Sequence, residues 1–145
     1  MEHARNSPEF QRTIPLIENA NHIVNKIHQI IPVKAYVTAR WECIRESTEA
    51  WLWSHDFPKA PVYMRPMDTE HMKSMEWKAS VLPHLYPDVM GIVDDDIRLL
   101  EYLRHDYPGT IFLYKHTKYP ETPVEVVVCE EWDSVLTEVS KRYGR

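Results

Sequence analysis

Between Pro15 and Pro32 apolar residues recur at intervals of three and four, at Leu16, Ile17, Ala20, Ile23, Val24, Ile27 and Ile30, which predicts a helix with one buried face. Pro32 ends that helix, because proline offers no amide hydrogen and its ring collides with the preceding turn. Val33 to Val37 is then a short run whose β-branched and aromatic members predict a buried strand, with polar Thr38 immediately beyond its end. From Glu42 to His55 the helical period returns. Ile44, Thr48, Trp51 and Leu52 share its inner face, while Glu42, Arg45, Glu46 and Glu49 remain in water.

Pro61 to Met64 is a further short strand, and Met75 to Leu85 is a third helical segment kinked or interrupted by Pro83. Val89 to Val93 is another apolar run, closed abruptly by Asp94, Asp95 and Asp96, after which Ile97, Leu99, Leu100 and Leu103 predict a fourth helix. Thr110 to Tyr114 and Val124 to Cys129 read as strands. Trp132 to Tyr143 reads as a closing helix with Val135, Leu136 and Val139 turned inward.

Alternating strands and helices favour an α/β layer sandwich with a largely parallel sheet, because each parallel crossover needs a segment that covers one face. The 145 residues fit one domain, with an N-terminal arm and helix over residues 1–32 and an α/β core over 33–145. Ligands of such sheets bind outside the carboxyl ends of the strands. The informative positions are therefore Thr38 to Arg40, Arg65, and Asp94 to Asp96.

Composition narrows the chemistry. Three glycines against eleven prolines leave no Gly-rich loop to close around a phosphate, which excludes a P-loop and the dinucleotide fingerprint. A net charge of -5 argues against a broad basic face for nucleic acid. Cys43 and Cys129 form no CxxC pair or disulfide framework, which points to a reducing, cytoplasmic setting. Residues 1–12 are polar, without the apolar core of a signal peptide, and no run approaches the ~20 apolar residues of a membrane span.

Three adjacent carboxylates after a buried strand repel one another unless a cation, protonation or helix-terminus amides offset their charge. Hard oxygen ligands of this kind suit magnesium, which commonly takes one or two protein carboxylates, keeps several waters and contacts a substrate phosphate. The bland alternative is that Asp96 caps the following helix while its neighbours are solvated. Thr38 offers a hydroxyl to an anion, with Arg40 nearby as a planar bidentate donor, or else it caps the next helix while Arg40 pairs with an acidic neighbour. Lys78 is either a solvated surface lysine or a counter-charge for phosphate. Arg65 lies where a loop can approach a substrate, with a salt bridge to Asp68 or Glu70 as the alternative. The eight histidines show no metal-ligand spacing, and Trp41, Trp51, Trp53 and Trp77 fit a core better than a base-stacking platform.

In combination, strand–Thr38-Ala39-Arg40, the helix containing Thr48 to Leu52, Lys78, and Gly91-Ile92-Val93-Asp94-Asp95-Asp96 resemble the haloacid dehalogenase-like (HAD) phosphohydrolase superfamily, in its nucleotidase and polynucleotide-phosphatase branches. The resemblance spans roughly residues 33–115. It implies a Rossmannoid three-layer sandwich, a phosphoryl contact from Thr38, and a charge-neutralising role for Lys78, with Lys73 less well spaced. It also implies a magnesium motif at Asp94 and Asp95, substrate contacts from Arg40 and Arg65, and a phosphorylated small molecule or nucleotide as ligand.

One part of the pattern is missing. Members of this superfamily begin with a strand carrying two aspartates one residue apart, the first a nucleophile and the second a general acid and base, and nothing before Val33 fits. Asp94 and Asp96 have that separation, but they follow Lys78 and so match the magnesium motif. In the family the missing strand is central, between the counterparts of Val33 to Val37 and Val89 to Val93. Either those two strands pair directly, another chain supplies the strand, or the sequence is a truncated product. The resulting expectation is a degenerate or incomplete phosphohydrolase domain that binds phosphate and magnesium without a nucleophile of its own. The alternatives are a magnesium-dependent phosphomonoesterase completed by an upstream segment or partner, and a non-catalytic interaction domain, with a homo-oligomer or strand-donating partner in either case.

Overall fold

A computed structural model of the protein describes residues 20–144. Helix α1 (Ala20–Ile30) leads into β1 (Tyr36–Trp41), a 3-10 turn (Glu42–Ile44) and α2 (Arg45–Ser54). Next come β2 (Val62–Arg65), a second 3-10 turn (Met67–Thr69), α3 (Ser74–Leu85) and β3 (Gly91–Asp94). The chain finishes with α4 (Leu99–Tyr102), β4 (Thr110–Tyr114), β5 (Glu125–Cys129) and α5 (Trp132–Tyr143). Leu16 and Ile17, assigned to the first helix, and the N-terminal arm up to residue 19 lie outside the described residues.

The mixed α/β class with parallel strands is observed, but the strands form two sheets. In one, β1 pairs with β2, and in the other the order is β3-β4-β5, all neighbours being parallel. β1 and β3 do not pair with each other. Gly91 opens β3 opposite Thr110, and a Cβ there would stand 2.4 Å from the Thr110 carbonyl oxygen, so only glycine permits this approach.

Alternate residues of the strands feed two cores. Ile111, Val124, Ile92 and Ala39 pack with Met75, Ala79 and Leu82 of α3 and with Leu99 and Leu100 of α4. Phe112, Tyr114, Cys129 and Val93 pack on the opposite face with Ile23 and Ile27 of α1 and Val135 and Val139 of α5. Ile44, Val62 and Met64 form a smaller third cluster, with Tyr36, Leu52 and Trp53 against it. Three layers result, helices lying on both faces of the strands. Among the described residues, no helix is long and apolar enough to cross a membrane.

The first strand departs from its predicted limits. It starts at Tyr36 and runs through Trp41, so Thr38, Ala39 and Arg40 lie within it and not beyond it. The reason is pairing: Tyr36, Val37 and Thr38 align with Val62, Tyr63 and Met64, and Trp41 aligns with Arg65 after an irregularity that inserts extra residues in β1. A bulge of this kind re-aims side chains locally. Pro83 is accommodated inside the last turn of α3, and the fourth helix is shortened to a single turn at Leu99–Tyr102.

Candidate functional site

The carboxyl ends of β1, β2 and β3 face the same way, as α3 shows. Arg65, the last residue of β2, donates from Nη1 to the Ser74 hydroxyl at the start of α3 (3.2 Å). One turn further along α3, Lys78 Nζ donates to Asp94 Oδ2 at 2.7 Å, and Asp94 is the last residue of β3. Both strand ends thus meet the amino-terminal half of one helix, and β1 is parallel to β2.

Lys78 and Asp94 are buried charges at this end, 9% and 6% exposed. The pairing explains why two ionised groups are tolerated away from water. The second Asp94 oxygen, Oδ1, accepts the Asp96 amide at 2.9 Å, which fixes the carboxylate. Lys73, the other lysine weighed for this role, is exposed at the start of α3, where the Glu76 side chain accepts its backbone amide.

The rest of the aspartate triplet divides its labour. Asp95 is exposed, and its carbonyl lies 2.8 Å from His116 Nε2, joining the loops after β3 and β4. Asp96 accepts the Arg98 amide (3.0 Å) and pairs with the Arg98 guanidinium (2.6 Å), which holds its carboxyl below the usual range against some desolvation. It makes a local turn just before α4, whose own cap position is Arg98. Among the described residues no group of three or more His, Cys, Asp or Glu side chains is placed to hold a metal ion. A hard cation at this end would draw on Asp94 and Asp95, one fixed and buried, the other open to water.

Thr38 and Arg40 line a slot of about 430 Å³ between β1 and β3, and Val93, the neighbour of Asp94, lines its other side. The Thr38 hydroxyl oxygen accepts the Arg40 amide at 3.3 Å across the bulge, leaving the hydroxyl hydrogen available to an acceptor. Thr38 and Arg40 thus line the slot, whereas Lys78, Asp94 and Asp95 are not among the residues that line it. Arg65 is placed differently. It is 6% exposed, stacks 4.2 Å from the Trp41 ring centroid, and donates to the carbonyls of Thr69 (3.0 Å) and Met72. It therefore fastens the loop between β2 and α3, in place of the salt bridge to Asp68 or Glu70, and does not line the slot.

Sequence reasoning overlooked His116. Its signal was position, two residues past the end of β4, where the strand-end rule already directs attention. It also overlooked the apolar wall of the slot, contributed by Val24 and Ile27 of α1, Leu82 of α3 and Trp132 of α5, since those residues read as ordinary core positions. No protein-family model, curated protein or solved structure matches the chain.

Proposed function

We propose that the chain is a HAD-like phosphohydrolase domain without a nucleophile of its own, binding a phosphorylated small molecule or nucleotide together with magnesium at the carboxyl ends of β1 and β3. The observation that carries this reading is the buried Lys78–Asp94 pair at the end of β3, with Thr38 of β1 lining the slot that Val93, next to Asp94, also lines. In it, the Thr38 hydroxyl donates to a phosphoryl oxygen, and Arg40 offers a planar pair of donors from the same strand. Lys78 holds Asp94 and contributes positive charge beside the anion. Asp94 and Asp95 would hold magnesium, which when bound neutralises phosphate oxygens. Turnover needs an attacking group as well, and electrostatic stabilisation does not replace it.

Titration calorimetry with inorganic phosphate and magnesium tests the binding half of the proposal. Phosphate binding that requires magnesium and is lost in Thr38→Ala and Asp95→Asn is expected. Binding unchanged in both variants and in Lys78→Ala would show the residue assignment to be wrong. A chromogenic phosphate ester tests the other half: hydrolysis by the lone chain, abolished by Asp94→Asn, would mean that the nucleophile is present after all. The second reading, an enzyme completed in trans, is favoured by the slot between the half-sheets.

A further inference from the structure

The turn that follows β3 is gripped from two sides at a single peptide unit. The Asp96 amide donates to Asp94 Oδ1 at 2.9 Å, and the carbonyl of the same unit, that of Asp95, accepts from His116 Nε2 at 2.8 Å. A carbonyl oxygen only accepts, so Nε2 carries the ring hydrogen. Both grips are anchored. Asp94 is buried and its other oxygen accepts from the Lys78 ammonium (2.7 Å), while His116 is half-buried two residues beyond the end of β4.

His116 reaches that carbonyl through a bend in the backbone. The Lys115 amide donates to the Cys129 carbonyl at 2.8 Å, which prolongs the ladder between β4 and β5 by one bond. Lys115 then adopts a φ of 66°, a left-handed conformation in which its Cβ crowds the backbone. The chain leaves the strand direction there, and the next side chain meets the turn after β3 in place of continuing along β5.

The consequence falls on Asp95. Asp94 is fixed by its own side-chain contacts, whereas the Asp95 carboxylate stands in water and takes its direction from the backbone that carries it. A peptide unit is planar, so holding both its carbonyl and its amide fixes its plane, and with it one of the two soft backbone torsions of Asp95.

We propose that His116 is the positioning residue for Asp95, holding its backbone so that the carboxylate is set for a magnesium ion shared with Asp94. The inference rests on the magnesium reading of these strand ends. His116 does not touch the ion. It acts as an outer partner does at metal sites generally, by orienting a ligand-bearing group before the metal arrives, so that less freedom is lost on binding.

Two variants separate the hydrogen-bond donor from the ring. His116→Phe keeps a flat ring and removes the donor, whereas His116→Gln changes the shape and keeps an amide N–H at similar reach. The whole chain, labelled with nitrogen-15, is titrated with magnesium chloride in the presence of inorganic phosphate, and the amide signals of residues 94–96 are followed. His116→Phe should raise the half-saturating magnesium concentration about tenfold, and His116→Gln should stay within about twofold of the unmodified chain. In EDTA, the Asp96 amide should exchange severalfold faster in His116→Phe but not in His116→Gln, a readout that needs no metal. Should the phenylalanine variant unfold, His116→Ser removes the donor in its place.

Magnesium binding unchanged by loss of the donor would overturn the inference and leave the magnesium reading intact. So would binding weakened in His116→Gln but not in His116→Phe, since shape and not the hydrogen bond would then be what His116 supplies. Faster Asp96 exchange without weaker magnesium binding would likewise overturn it. An unmodified chain whose amide signals ignore magnesium would overturn the magnesium reading itself, and this inference with it.

Discussion

β4 and β1 are both short parallel strands of mixed apolar and polar residues, yet all five residues of β4 are buried and all six of β1 are only half-buried. The difference lies in their neighbours. β4 sits between β3 and β5 with helices on both faces, whereas β1 has β2 on one side and the slot on the other. A parallel strand acquires its burial from what flanks it, so composition alone does not separate the centre of a sheet from an edge. The two half-sheets differ in the same way. The three-stranded half is served by two large apolar clusters, and the two-stranded half has a cluster of only three buried residues.

The link between the halves is the sharpest place to break this comparison. Lys78→Met leaves Asp94 buried without its counter-charge, and a loss of about 3–5 kcal/mol is expected from denaturant unfolding. Adding Asp94→Leu should restore much of it, because the stranded charge disappears. A double variant as unstable as the single one would mean that packing, and not charge, is what Lys78 supplies.

Within the halves, Ile111→Ala should cost about 2–5 kcal/mol, as Ile111 is fully buried in the larger core. Val37→Ala, on the slot edge, should cost about 1 kcal/mol or less. Comparable denaturation midpoints for the two variants would contradict the asymmetry. Hydrogen exchange gives a milder comparison: amides of β4 should exchange near the global opening rate, and those of β1 faster.

The smallest effect concerns pH. Glu125 on β5 accepts the Thr110 hydroxyl (2.5 Å) and pairs with Arg142 of α5 (3.0 Å), which lowers its pKa below the ordinary 4.5. A lowered folded-state pKa stabilises the fold above 4.5, and that contribution fades as pH falls through the folded-state value. An acid titration followed by circular dichroism should show a shallower acid limb for Glu125→Gln, with stability at pH 7 reduced only slightly. An unchanged acid limb would rule out this linkage as a contributor.

Much of the architecture was legible in local patterning. β4 and α5 fall where apolar spacing put them, at Thr110–Tyr114 and Trp132–Tyr143, because each combines a clear period with flanking turn residues. The limits of β1 were not legible, since its bulge depends on the register with β2, which neighbouring residues do not encode. The candidate site divided likewise. The strand-end rule pointed to Asp94, which is the last residue of β3, and to Thr38, which instead lies inside β1. Lys78 was given a charge-neutralising role toward phosphate, and neither its pairing with Asp94 nor the burial of Arg65 against Trp41 was legible.

By itself the sequence determined the order and type of the elements, the positions of the strand-end carboxylates, and the exclusion of a glycine-rich phosphate loop. These follow from interactions between residues close along the chain, where period and side-chain chemistry act directly. Only the tertiary structure decided that the strands part into two sheets, that Lys78 is spent on Asp94, and that a slot separates β1 from β3. Each of those depends on groups distant in sequence meeting in space, where the balance of burial, charge pairing and backbone hydrogen bonding is settled between elements and not within them.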